Sequence, residues 1–188
     1  HIDASQLAVD LPIEADVVII GSGAGGGVTA EILAANGLKV IIVEEGPLRT
    51  SSDFKMREAE AYPDLYQESA ARKTADKAIN ILQGRCVGGS TTVNWTSSFR
   101  TPPRTLQWWQ SAWGLKRLGV DAMAPWFAAM EQRLHVGLWP IPPNENNAAL
   151  ARGAAQLGIP VAVIPRNVKM CWNLGYCGMG CPTNAKQS

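Results

Sequence analysis

The first strong pattern along the chain is Ala15–Ile20 (ADVVII), a continuous apolar, β-branched run stopped by Gly21. Such a run, without polar alternation, predicts a strand buried on both faces of a parallel sheet. Beyond the glycines, Val28, Ile32 and Leu33 recur at helical spacing, and Asn36-Gly37 supplies residues that accept the left-handed conformation of a helix end. A helix over Gly25–Ala35 follows. Lys39–Val43 (KVIIV) predicts a second buried strand, closed by Glu44, Glu45 and Gly46, so the first 46 residues read as one βαβ unit. Farther on, Trp126, Phe127, Met130 and Leu134 fall at helical spacings within Ala124–His135, which predicts a helix packed on one face. Pro140, Pro142, Pro143 and Asn144 break the pattern before a second helix over Ala148–Leu157, ended by Gly158. Ile159–Ile164 (IPVAVI) reads as a strand, confined to an edge or start position by Pro160.

Composition narrows the class. The chain has 188 residues, 46% hydrophobic and 18% charged, which suits an ordinary globular domain with a sizeable core. Most of the seven tryptophans (Trp95, Trp108, Trp109, Trp113, Trp126, Trp139 and Trp172) read as core, the alternative being an aromatic substrate pocket. Seventeen Lys and Arg against 16 Asp and Glu leave a net charge of +1, too little to attract nucleic acid, and no nucleic-acid-binding motif is present. The longest apolar runs fall far short of the roughly 20 residues that a membrane span needs. The chain begins at His1 without Met, which predicts a trimmed or processed N-terminus and leaves localisation open, with cytoplasmic or peripherally membrane-associated sites favoured.

Chemistry enters with the glycines. Gly21, Gly23 and Gly26 satisfy GxGxxG directly after a strand and at the opening of a helix, where small residues permit a tight turn and close approach of a pyrophosphate to backbone amides. Ala24 and Gly25 keep the same turn small. Eighteen residues after Gly26, at the end of the second strand, Glu44 is placed to accept hydrogen bonds from an adenosine ribose diol. The plain alternative is a glycine turn that only packs helix on sheet. The motif alone does not separate NAD from FAD.

A second glycine loop follows at residues 84–100, GRCVGGSTTVNWTSSFR. Gly84-Arg85 and Gly88-Gly89 bracket Cys86-Val87 and lead through Ser90, Thr91, Thr92 and Val93 to Asn94, which reads as buried. Small hydroxyl donors and exposed amides are what a pyrophosphate and an isoalloxazine ring require; the alternative is a turn whose Ser and Thr satisfy local backbone groups. GRCVGGSTTVN resembles the N-terminal signature of the glucose-methanol-choline oxidoreductases: GR, two residues, GGS, three residues, Asn. The likeness extends over about residues 13 to 185, through VEEGP, Trp113, Asp121–Leu134 and Asn144–Asn167. It implies an α/β, Rossmann-like FAD-binding domain, incomplete in this chain, with the start of a substrate or cap region. The implied division is 1–13 as an N-terminal arm, 14–104 as the FAD-binding βαβ unit and flavin loop, and 105–188 as a helical segment and cysteine-rich loop. It also implies that Ala24, Gly25 and Glu44 touch the ADP half of FAD, while Ser90, Asn94, Trp95 and Ser97 lie along the pyrophosphate and ring. Some relatives attach FAD through a His in this loop; none occurs between Gly84 and Arg100, so FAD is expected to be held noncovalently.

Cys171, Cys177 and Cys181 cluster in a glycine-rich stretch, with Cys86 apart. Closely spaced thiols serve as a disulfide with a leftover thiol, as packed cysteines or as metal ligands. A tetrahedral zinc site would need a fourth ligand, and no His is near. The C-x5-C-x3-C-P spacing resembles both the iron-sulfur segment of sugar dehydrogenase large subunits, which implies a 3Fe-4S cluster on these three thiolates and a reducing site of assembly, and a cysteine-rich loop of long-chain alcohol oxidases without a cluster.

The resemblance implies FAD-dependent oxidation of the CH-OH group of a small-molecule alcohol, with hydride passed to flavin N5 and oxygen, a quinone or a cytochrome as acceptor. The family's catalytic base is a His far toward the C-terminus. Only His1 and His135 occur here, and His135, near a helix end, is better explained by the helix dipole. No catalytic residue is therefore expected in this chain. A complementing C-terminal polypeptide or continuation is expected to close the sheet edge and cofactor cleft. Two other functional readings are an iron-sulfur electron-transfer subunit and a noncatalytic, FAD-stabilised assembly module.

Overall fold

Val17–Ile20 forms β1, and Val40–Val43 forms β2; they pair in parallel, with Val17 opposite Val40 and Ile20 opposite Val43. Between them runs α1, Ala24–Ala35, ending at Asn36 with Gly37 at φ 86°. The connection is the Rossmann-like βαβ unit expected of the sequence. One face of β1 turns to α1: an ideal Cβ on Gly26 would lie 3.3 Å from a methyl of Ile19. The other face does not carry the expected cover. Val18 is 59% exposed and Ile20 90%, because helix α1 shields only one side of a two-stranded sheet.

The computed structural model describes residues His1–Ser188 and divides into two compact units. The first is His1–Arg49 with Tyr62–Thr91, and the second Thr50–Ala61 with Thr92–Ser188. Thr50–Ala61 and Thr92–Arg104 thus group with the C-terminal residues. The short helices α2 (Glu58–Leu65) and α3 (Ser90–Val93) run through points where the division falls. In the first unit, Leu65, Tyr66 and Cys86 are buried, and the rings of Tyr62 and Tyr66 meet edge to face at 5.5 Å.

The second unit holds α4 (Pro103–Trp113), α5 (Val120–Arg133), β3 (Val136–Leu138), α6 (Glu145–Gln156) and β4 (Pro165–Asn167). Proline in the first turn of α4 costs no hydrogen bond, and Gly114 at φ 63° closes that helix. The Asn144 side chain caps α6 by accepting from the Asn147 amide at 2.9 Å. β3 and β4 pair antiparallel. The strand expected at Ile159–Ile164 does not form; pairing begins at Pro165, and the segment before it is exposed. Pro160 removes one ladder donor there, and no strand lies alongside to supply the others.

The tryptophans also correct the sequence reading. Trp95, Trp108, Trp113, Trp126 and Trp172 are exposed, and only Trp109 and Trp139 are half-buried. On α5, Phe127 and Leu134 turn inward while Trp126 and Met130 face out. No helix is long and apolar enough to cross a membrane.

Candidate cofactor site

The turn from β1 into α1 builds an open cradle. Gly21, at φ 90°, donates its amide to the Val43 carbonyl at 2.8 Å and turns the chain off the sheet. Gly23 is the N-cap of α1, and no side chain caps it, so the first helix amides are left for a ligand. An ideal Cβ at Gly23 or Gly25 would meet nothing within 4 Å, whereas at Gly26 it would collide with the Gly21 carbonyl. Gly26 therefore keeps helix and strand together, and the other two leave backbone bare.

Glu44, at the end of β2, is fixed before any ligand arrives. Its Oε2 accepts from the Ser22 amide at 2.8 Å and the Ser22 hydroxyl at 2.7 Å, and its Oε1 accepts from the Gly46 amide at 2.9 Å. Partial burial raises its pKa, but the bonds from Ser22 and Gly46 outweigh that and hold the carboxyl below its ordinary value. The Ser22 hydroxyl in turn accepts from the Gly88 amide at 2.9 Å. One side chain thus links the acidic strand end to the second glycine loop, a role with no signature in the sequence.

That second loop is shaped by close backbone approach. A methyl on Gly46 would overlap the Arg85–Cys86 peptide, and one on Gly84 would overlap the Gly89–Ser90 peptide. Gly88 and Gly89 both have positive φ, 89° and 55°. An ideal Cβ on Gly89 would come within 3.1 Å of the Gly23 Cα, so the two glycine turns face each other closely. Ser90 Oγ accepts from the Gly84 amide at 3.0 Å, and Thr91 Oγ1 donates to the Gly88 carbonyl at 2.6 Å. Local satisfaction of backbone groups is therefore one real function of these hydroxyls. The donor set, backbone amides beside bare glycines with a fixed carboxylate at the strand end, fits an ADP-bearing cofactor.

In the second unit, Asn94, Trp95 and Ser97 are exposed, so Asn94 is not the buried residue its setting suggests. Its Oδ1 accepts from the Thr96 amide at 3.0 Å. Thr96 is 1% exposed at φ 65°, an uncommon conformation for a β-branched residue. Its neighbours hold it there. The Arg166 guanidinium donates to the Trp95 carbonyl at 3.0 Å, and Ser98 donates its amide to the Pro165 carbonyl at 2.9 Å. Lys186, which sequence reasoning passed over, is buried and donates to three carbonyls, those of Thr92, Asn94 and Cys177.

Cys171, Cys177 and Cys181 are free thiols, and no group of three or more His, Cys, Asp or Glu side chains is arranged to hold a metal ion. The three thiols of the possible 3Fe-4S cluster are thus not arranged as a ligand set. Sulfur instead serves backbone groups: Cys181 Sγ accepts from the Ala185 amide at 3.2 Å, and Cys171 Sγ from the Asn173 amide at 3.4 Å. His135 follows α5 with φ 50° and lines a cavity of about 300 Å³ with Trp139, Arg166 and Met170.

Residues 16–56 match an FAD binding domain model, and residues 62–188 match a GMC oxidoreductase model. A long-chain-alcohol oxidase of Arabidopsis thaliana is 34% identical over 177 residues, covering 94% of this chain and 24% of the relative. An uncharacterized GMC-type oxidoreductase of Mycobacterium tuberculosis is 35% identical over 185 residues, covering 96% and 29%. The chain thus spans only about a quarter of the length of these relatives. Among solved structures, pyridoxine 4-oxidase from Mesorbium loti aligns at TM-score 0.45 and 28% identity, over 60% of this chain and 23% of the other. Formate oxidase from Aspergillus oryzae aligns at TM-score 0.47 and 25% identity, over 60% and 21%. With the second glycine loop and the cysteine-rich segment both inside a match that takes in more than half of the sequence, the chain belongs to the GMC oxidoreductase family.

Proposed function

We propose that this chain is the cofactor-holding portion of an FAD-dependent oxidoreductase that acts on the CH-OH group of an alcohol. The observation that carries the reading is the open glycine cradle at α1, wired through Ser22 to both Glu44 and the Gly88 amide. In this reading Gly21, Gly23, Ala24, Gly25 and Gly26 receive the pyrophosphate and Glu44 the adenosine ribose. Gly88, Gly89, Ser90, Asn94, Trp95 and Ser97 line the remaining pyrophosphate and the ring. FAD, when bound, supplies the hydride acceptor at N5. The residues here bind and orient it noncovalently, for no His lies in the loop. No catalytic base is assigned to this chain. The exposed apolar face bearing Val18 and Ile20 is the surface that a further segment or polypeptide covers in the working enzyme.

Long-chain-alcohol oxidases among the relatives make an aliphatic alcohol the first substrate class to try. Anaerobic addition of primary alcohols of graded chain length to the purified flavoprotein should bleach the flavin bands. Bound flavin that no alcohol reduces would leave FAD binding intact and remove the alcohol reading.

A further inference from the structure

Lys186 is a charged residue in a place where charge is costly. It is 6% exposed, and its Nζ donates at 2.7 Å to each of the Thr92, Asn94 and Cys177 carbonyls. An ammonium has three donors and no acceptor, so this cage uses its whole hydrogen-bonding capacity. Two of the three acceptors bracket Val93, at the point where α3 gives way to Asn94 and Trp95.

The arrangement has a directional consequence. In a trans peptide the C=O and the following N–H point opposite ways, and the chain has no cis peptide bonds. Drawing the Asn94 carbonyl onto the ammonium therefore turns the Trp95 N–H away from Lys186. The positive charge also polarises that peptide and strengthens the N–H as a donor. Arg166 holds the next carbonyl, that of Trp95, at 3.0 Å. Successive peptide planes are thus set by two cations from the far end of the chain.

The cysteine-rich segment delivers one of these cations. Cys181 Sγ accepts from the Ala185 amide and the Cys181 carbonyl from the Asn184 amide at 3.2 Å, closing a turn in which Asn184 has φ 54°. Past that turn, Ala185 and Gln187 pair with the backbone of Lys169 and Asn167 at 2.8 and 3.0 Å. Lys186 lies between those two anchors. The cysteine-rich segment is, in structure, a bracket for a lysine.

The geometry points to Lys186 as a positioning residue for the flavin loop: by caging the Thr92 and Asn94 carbonyls it presents the Trp95 amide as a hydrogen-bond donor to bound flavin. This rests on the FAD reading above. The test compares wild type with Lys186→Met and Lys186→Arg, with Lys116→Met at an exposed lysine as the control. FAD affinity is read from flavin fluorescence quenching, and loop geometry from the visible circular dichroism of the bound flavin. K186M should bind FAD at least tenfold more weakly with an altered dichroism spectrum. K186R, which keeps charge and donors, should recover part of the loss, and K116M should stay within twofold of wild type. A folded K186M with wild-type affinity and dichroism overturns the inference.

A measurement on wild type decides the matter even if K186M fails to fold. Hydrogen exchange at the Trp95 amide should slow at least tenfold when FAD binds, and unchanged exchange overturns the proposal. Wild type that takes up no FAD would defeat the functional reading and this inference together, whereas wild type that binds FAD beside an indifferent K186M defeats the inference alone.

Discussion

Replacing Ser22 with alanine tests whether one hydroxyl couples the acidic strand end to the second glycine loop. The change removes the 2.7 Å bond from Oγ to the Glu44 carboxylate and takes away the acceptor of the Gly88 amide at 2.9 Å. A hydrogen bond to a charged group contributes about 1.5–3 kcal/mol, and an orphaned buried donor costs about 1–3 kcal/mol. Ser22 is only half-buried, and the Ser22 amide still reaches Glu44, so water and the remaining bond recover part of both. The expected net destabilisation is about 1.5 kcal/mol, near the low end of either figure alone. Its pH dependence has a definite sign. Glu44 is held below its ordinary pKa, so its contribution is complete above the ordinary carboxylate range and is lost as pH falls through the folded value. The gap between wild type and S22A should be full at neutral pH and narrow in acid to the part that comes from the Gly88 amide. Urea unfolding across that range measures the gap, and fluorescence titration should show FAD binding weakened about tenfold. S22A within about 0.5 kcal/mol of wild type at neutral pH, the scatter of an ordinary surface substitution, or a gap that persists unchanged in acid, would refute the reasoning.

Gly26→Ala and Gly25→Ala should separate packing from ligand approach. G26A places a methyl against the Gly21 carbonyl and should destabilise the protein by about 1–3 kcal/mol. G25A has open space and a better helix former, so calorimetry should find the apoprotein as stable or slightly more stable while FAD affinity falls. Trp126→Gln, at a side chain 66% exposed, should change unfolding free energy by no more than about 0.5 kcal/mol. Thiol counting after denaturation without reductant should find four thiols, and a chelator should leave the melting temperature unchanged. Cys181 should alkylate faster than Cys177 in mass-spectrometric labelling. Burial raises the pKa of both thiols, but at Cys181 hydrogen bonds from Thr183, Lys186 and Ala185 outweigh it, whereas Cys177 remains raised.

The βαβ unit was legible in the sequence because its signals are local: two β-branched runs, a helical spacing between them, and glycines where the backbone must turn. The glycine loop at 84–89 was legible for the same reason, since close approach leaves no room for a Cβ at Gly84. Burial was not. Hydrophobic spacing on α5 identified a helix but misplaced its inner face, because Trp126 and Met130 satisfy the same period as Phe127 and Leu134. IPVAVI carries strand composition, yet a strand needs a neighbour, and the pairing went to Pro165–Asn167. The contacts that fix each loop are long-range. Ser22 meets Gly88 across 66 positions, and Lys186 meets Thr92 across 94. A serine inside a glycine motif and a lysine near a cysteine cluster carry no local mark of such partners. The cysteine spacing is compatible with a metal site and with a packed loop alike: it marks a metal site only when the thiols converge, and here the sulfurs of Cys171 and Cys181 accept from nearby backbone amides.

The central claim is that the two glycine loops hold FAD, and hold it without a covalent bond. The most direct measurement is the visible absorption spectrum of the purified protein after desalting, repeated on the supernatant after acid precipitation. The account predicts flavin bands at close to one FAD per chain before precipitation and all of that flavin free in the supernatant afterwards. A protein that remains colourless when FAD is supplied, or flavin that stays with the precipitate, would contradict it.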